Sequence, residues 1–172
     1  MTPLQTFRPV LLALALCPQT ALAAPSDPLQ ADPAAIRVTL TLPEGIGLVA
    51  GSASLQFGAT NGKTGVTTNA TDALSDTATG QTHELRLTTP ETAQLRGVQA
   101  VIAQWKAKGE QGRGALTVAF TPCLASPGAP IDTSMGLSIR FAETGPKMNL
   151  VDSTATLADF LKASGQTIAA CP

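Results

Sequence analysis

His83 is the only histidine of the chain, so any imidazole chemistry rests on it. With Met135 and Met148 it would make a copper site if the fold brought the three together, because imidazole nitrogen and thioether sulfur favour copper. The spacing of the three matches no metal-site pattern, so a periplasmic copper carrier ranks as a third reading. As a catalytic base, His83 lacks a nucleophile in a recognisable setting: no G-x-S-x-G elbow occurs. It also falls on the apolar side of an alternating segment, where a histidine usually serves as a hydrogen-bonded structural residue.

Carboxylates offer the next chemistry. Asp132, Glu143, Asp152 and Asp159 are scattered through the last third of the chain. A hydrolase needs two acids facing one bond, one to protonate the leaving group and one to attack or activate water. An exported hydrolase is therefore the second reading, and it requires two of these four to share a cleft. Asp72 and Asp76 sit in the polar stretch Asn69–Gln81, but their spacing does not match an EF-hand loop and no closing Glu follows. That stretch reads as a solvated surface loop.

Two glycine patterns look like nucleotide-binding motifs. Gly45-Ile46-Gly47-Leu48-Val49-Ala50 fits G-x-G-x-x-G/A after a predicted strand. The dinucleotide motif needs a helix next, so that its N-terminal dipole meets the pyrophosphate, and the residues that follow alternate like a strand. A turn between strands explains the glycines. In Gly58-Ala59-Thr60-Asn61-Gly62-Lys63-Thr64 the spacing is one residue short of a phosphate-binding loop, and Phe57 stands where its first glycine belongs. Asn61-Gly62 is instead a hairpin signal, read as a type I′ turn. No cofactor is expected.

The amino terminus combines Arg8, an apolar run from Val10 to Leu16, and Ala21-Leu22-Ala23. This is the pattern of a secretory signal peptide with cleavage between Ala23 and Ala24. Lipidation at Cys17 is disfavoured, since bulky Leu16 precedes it where a small residue is wanted. The apolar run is shorter than the ~20 residues that span a bilayer, and no later stretch approaches that length. Loss of residues 1–23 from 172 leaves 149 residues. A chain of that size supports one core, so a single domain over 36–172 is expected after a Pro/Ala-rich exposed arm at 24–35. Cys123 and Cys171 then remain as an even pair, most simply a disulfide in an exported chain.

The elements that must position these residues are mostly strands. Ile36–Leu42 alternates, with Ile36, Val38, Leu40 and Leu42 on one face, and 52–57, 64–68, 82–88, 115–120 and 135–141 read likewise. Thr89-Pro90-Glu91 opens a helix over 90–108, with Leu95, Val98, Ile102 and Trp105 on one stripe and Gly109 at its end. The competing reading pairs that stretch as a hairpin with 115–120. A second helix spans 154–164, opened by Ser153 and ended near Gly165, and 166–171 returns as an extended tail. The fold class is mainly β, an antiparallel sandwich or single sheet of six or seven strands with one or two short helices, and α+β is the near alternative.

Composition narrows the function. Only 13% of residues are charged, against about 25% in ordinary domains, and 3% are aromatic. With a net charge of −1 the chain has no cationic excess for phosphates and no aromatic set for stacking bases, which excludes nucleic acid as a main partner. Trp105 and the phenylalanines at 57, 120, 141 and 160 fall on core stripes. What remains is many Thr and Ser on exposed strand faces and uncovered strand edges able to pair with another chain. The leading expectation is an exported, non-catalytic domain that binds another envelope or secreted protein.

Overall fold

The computed structural model describes residues 28–172. The signal peptide, its Ala23–Ala24 cleavage point and Cys17 lie outside them.

Among the described residues, ten strands form two sheets. In chain order they are β1 (Arg37–Thr41), β2 (Ile46–Leu48), β3 (Ser54–Asn61), β4 (Thr67–Thr79), β5 (Thr82–Leu87), β6 (Gly112–Ala119), β7 (Pro122–Leu124), β8 (Gly136–Arg140), β9 (Met148–Asn149) and β10 (Ala169–Ala170). The larger sheet runs β6-β3-β4-β5-β1-β8-β9, and every pairing in it is antiparallel. A small sheet, β10-β7-β2, includes one parallel pair, β10 with β7. The architecture is mainly β, with helices α1 (Thr89–Ala107) and α2 (Leu157–Ser164).

The alternation of β1 places Val38 between Leu85 and Ile139, and Leu40 between His83 and Leu137. All six side chains are buried, on the face that the sheet turns inward. Burying one such aliphatic chain contributes about 1.5–3 kcal/mol, so these rows fix the register: a one-residue slip would turn them to solvent. Helix α1 covers β4 and β3 with Leu95, Val98, Ile102 and Trp105, as its stripe requires. The hairpin alternative for this stretch is thereby excluded. Thr88 is its N-cap, and Gly109 follows with φ 71°. In α2, Thr156 and Asp159 form a reciprocal capping box, which starts the helix a turn later than Ser153. Upstream, Asp152 closes a turn on Thr154 instead.

Three other expectations are corrected. The segment Asn69–Gln81 is not a loop: most of it belongs to the 13-residue strand β4, which pairs first with β3 and then with β5. Its inward positions are Ala70, Asp72 and Leu74, and the acid among them hides the apolar alternation. The reading of 24–35 as an exposed arm fails over its described part, where Ala31 and Pro33 are buried. Gln99 of α1 donates to the carbonyls of Pro28 (2.7 Å) and Ala31 (3.0 Å), and Arg96 pairs with Asp32 at 2.7 Å. The Asn61-Gly62 turn is not type I′, since neither residue has positive φ. Asn61 Oδ1 instead accepts from the amides of Lys63 and Thr64, and Gly65 supplies the left-handed residue at φ 71°.

The glycine motifs have structural causes. A Cβ on Gly58 would meet the Thr68 carbonyl at 2.8 Å, so the close β3–β4 pairing requires glycine there. Gly45 takes φ 77°, and a Cβ on Gly47 would lie 3.2 Å from the Cys171 sulfur. The segment at Gly45–Ala50 therefore contains β2 as well as a turn, packed against the Cys123–Cys171 disulfide, whose Cα atoms are 4.9 Å apart.

Candidate docking edge

The residues singled out for chemistry are dispersed. His83 is buried, and its Nδ1 lies 2.8 Å from Asp76 Oδ2 across the β4–β5 pairing. Met135 is buried beside β8, whereas Met148 is 48% exposed on β9, three strands from His83 in the sheet order. Strand spacing of about 4.8 Å then separates His83 from Met148 by roughly 14 Å. Among the described residues no group of three or more His, Cys, Asp or Glu gathers to hold a metal.

The four late acids are all exposed. Backbone and side-chain bonds from Thr154 hold Asp152 below the usual carboxylate range, and bonds from the Thr156 hydroxyl and amide do the same for Asp159. Glu143 reaches Arg37 at 3.9 Å. Asp152 and Asp159 thus hold local turns at the surface, and none of the four acids has the buried setting that raises a general acid. Buried carboxylate oxygens belong to two other acids, of which Asp72 alone is buried as a residue. Asp72 is 1% exposed, and neither of its carboxylate oxygens has a hydrogen-bond partner; Glu91 Oε2 at the start of α1 is buried without one too. Burial first, and the charge of Glu91 second, push the Asp72 carboxyl above its ordinary range.

The other expected feature, an uncovered strand edge, has a specific location. β6 ends the large sheet, and among the described residues nothing pairs with its outer side. It runs eight residues beside β3 in unbroken register, from Asn61↔Gly112 to Ser54↔Ala119. Proteins usually blunt such edges with proline, bulges, brevity or inward charges. β6 has none of these, and Arg113 is its single charge. The opposite edge, β9, is only two residues long.

Hydrogen bonds at the strand ends reveal which groups of β6 are free. Gly62, in register with Gln111, donates to its carbonyl at 2.7 Å, while Ala53 turns its carbonyl the other way to accept from Leu74. Even-numbered residues of β3 therefore face β6, and their partners Arg113, Ala115, Thr117 and Ala119 face back. Gly112, Gly114, Leu116 and Val118 consequently direct their amides and carbonyls outward. In a β-sheet, side chains also alternate, and these four positions are the ones on the helix-covered face.

That face is incompletely covered at β6. Leu116 and Val118 are only partly buried. Between the edge, α1 and the segment at Pro28 and Leu29 lies an apolar cleft of about 300 Å³, lined also by Phe57, Ile102, Gly112, Gly114 and Leu116. The two glycines leave the room: with side chains there, the cleft would be filled from within. Composition and periodicity point to strand edges in general; that the edge is β6 follows from the sheet order, which alternation alone does not encode.

Among the described residues no helix is long and apolar enough to cross a membrane. No protein-family model, curated protein or solved structure matches the chain.

Proposed function

We propose that the protein is an exported, non-catalytic binding domain that takes an extended segment of another envelope or secreted protein onto β6. The observation that carries this reading is the eight-residue edge with four outward-facing residues beside an apolar cleft. Main-chain bonds to such an edge supply affinity, and alternate side chains entering a pocket supply selectivity. The Cys123–Cys171 bridge supports an oxidising compartment, because disulfides persist outside the reducing cytosol.

Gly114→Pro is the discriminating variant. Proline removes an outward amide and leaves the pairing with β3 intact, a placement that edge strands tolerate. A photo-crosslinking residue at Thr117, introduced in the native host, should trap one partner, and Gly114→Pro should abolish the adduct at unchanged protein level. A crosslink that persists in the Gly114→Pro variant, or none at all, would refute the reading.

A further inference from the structure

Building on the β6 docking reading, we infer that the incoming strand is acidic at the end that lies beside Gly112. The charge around β6 is strongly one-sided. Lys63, Lys106, Lys108 and Arg113 gather where α1 ends and β6 begins, four of the ten Lys and Arg in residues 28–172. All four are exposed. The one acid among them, Glu110, is occupied: it accepts from Asn61 Nδ2 at 2.7 Å and lies 4.0 Å from Lys63. A hollow of about 410 Å³, lined by Lys63, Gly109, Glu110, Gln111, Gly112 and Arg113, opens at this end of the strand. In a chain of net charge −1 this is a local cationic end with no internal counter-charge to spare.

The opposite end of β6, Leu116–Ala119, carries no charge. The apolar cleft lies between the two ends, open on the face to which Gly112, Gly114 and Leu116 belong. An added strand places alternate side chains on that same face. The matching segment therefore has apolar residues at every second position and carboxylates at the end beside Lys106 and Arg113. A second copy of this chain fits less well. Antiparallel pairing of β6 with its own copy would set each cationic end against Leu116–Ala119, which offers no carboxylate. Opposite charge steers encounter and fixes register, so it also sets the direction in which the segment lies.

The probes are two short labelled peptides of alternating valine and threonine, one ending in two aspartates and the other in two lysines. Binding to the full exported chain is read by fluorescence anisotropy at low and high salt, with Gly114→Pro and the double variant Lys106→Glu, Arg113→Glu as controls. The aspartate peptide should bind at least about tenfold more tightly at low salt, lose that margin at high salt, and lose it again in the double variant. Equal affinity for both peptides, abolished by Gly114→Pro, would overturn the acidic preference while leaving edge docking standing. Failure of both peptides to bind would overturn the two together. Self-association in sedimentation that Gly114→Pro abolishes would assign the edge to a second copy and overturn the inference.

Discussion

Asn61 Nδ2 donates to Glu110 Oε2 at 2.7 Å, tying the loop after β3 to the residues that launch β6. Asn61 is 1% exposed, and its Oδ1 accepts from the amides of Lys63 and Thr64. One buried amide thus shapes the β3–β4 loop and anchors the start of the free edge. A docking strand needs such an anchor, because a frayed edge must be ordered before it can pair.

Asn61→Ala removes all three bonds and leaves the Glu110 carboxylate without its amide donor. It should destabilise the domain by about 1–3 kcal/mol, and thermal unfolding should show a correspondingly lower Tm. Amide exchange at Arg113, which β3 protects, should quicken more than exchange in β1. An unchanged Tm would mean that the loop is held by other contacts.

Asp72→Asn should stabilise the protein at neutral pH. The folded-state carboxyl titrates above its unfolded value of 3.8, so the folded chain keeps a proton that the unfolded chain releases. Below the unfolded value both states are protonated and no penalty exists. As pH rises from there through the raised folded value, stability falls, and the loss is complete above it. Asn carries no charge to bury, so the variant should have the higher Tm at pH 7 and lose that advantage toward about pH 4. A variant less stable than the parent at pH 7 would show that the ionised carboxylate is compensated.

The Cys123–Cys171 bridge joins β7 to the residue after β10. Replacing both cysteines by alanine should cost about 2–5 kcal/mol and expose the C-terminal tail to proteases. Intact mass of the unreduced native protein should show no free thiol at these positions. Two free thiols, or equal stability without the bridge, would contradict this.

Gln99→Ala should release the segment Pro28–Ala31, whose carbonyls it holds, and Arg96→Ala should weaken the same dock through Asp32. The expected readout is faster proteolysis before Ile36 with the sheet intact. Equal cleavage rates in parent and Gln99→Ala would show that packing of Ala31 and Pro33 suffices.

Much of this architecture was legible because burial writes a period into the chain. Val38, Leu40, Leu85 and Leu137 alternate, and Leu95, Val98, Ile102 and Trp105 recur at helical spacing. The period failed where an inward position carries an acid: Asp72 sits between Ala70 and Leu74, so β4 looked like a polar loop. It failed again where tertiary contacts bury small residues, as with Ala31 and Pro33 under Gln99. The docking edge was visible only as a class of surface. Its identity depends on β3 being, among the described residues, the one strand paired with β6 and on glycines at 112 and 114 that leave a cleft, and no local pattern reports either.

Amide-resolved hydrogen exchange across β6, measured on the free chain and then with the aspartate-ended peptide at saturation, tests the docking account most directly. In the free chain, the amides of Gly112, Gly114, Leu116 and Val118 should exchange quickly, while those of Arg113, Ala115, Thr117 and Ala119 are protected by β3. The peptide should slow the amides of this whole outward set, since each of them donates to an added strand, and Gly114→Pro should prevent that protection. Outward amides already protected in the free chain, or unchanged under saturating peptide, would contradict the account.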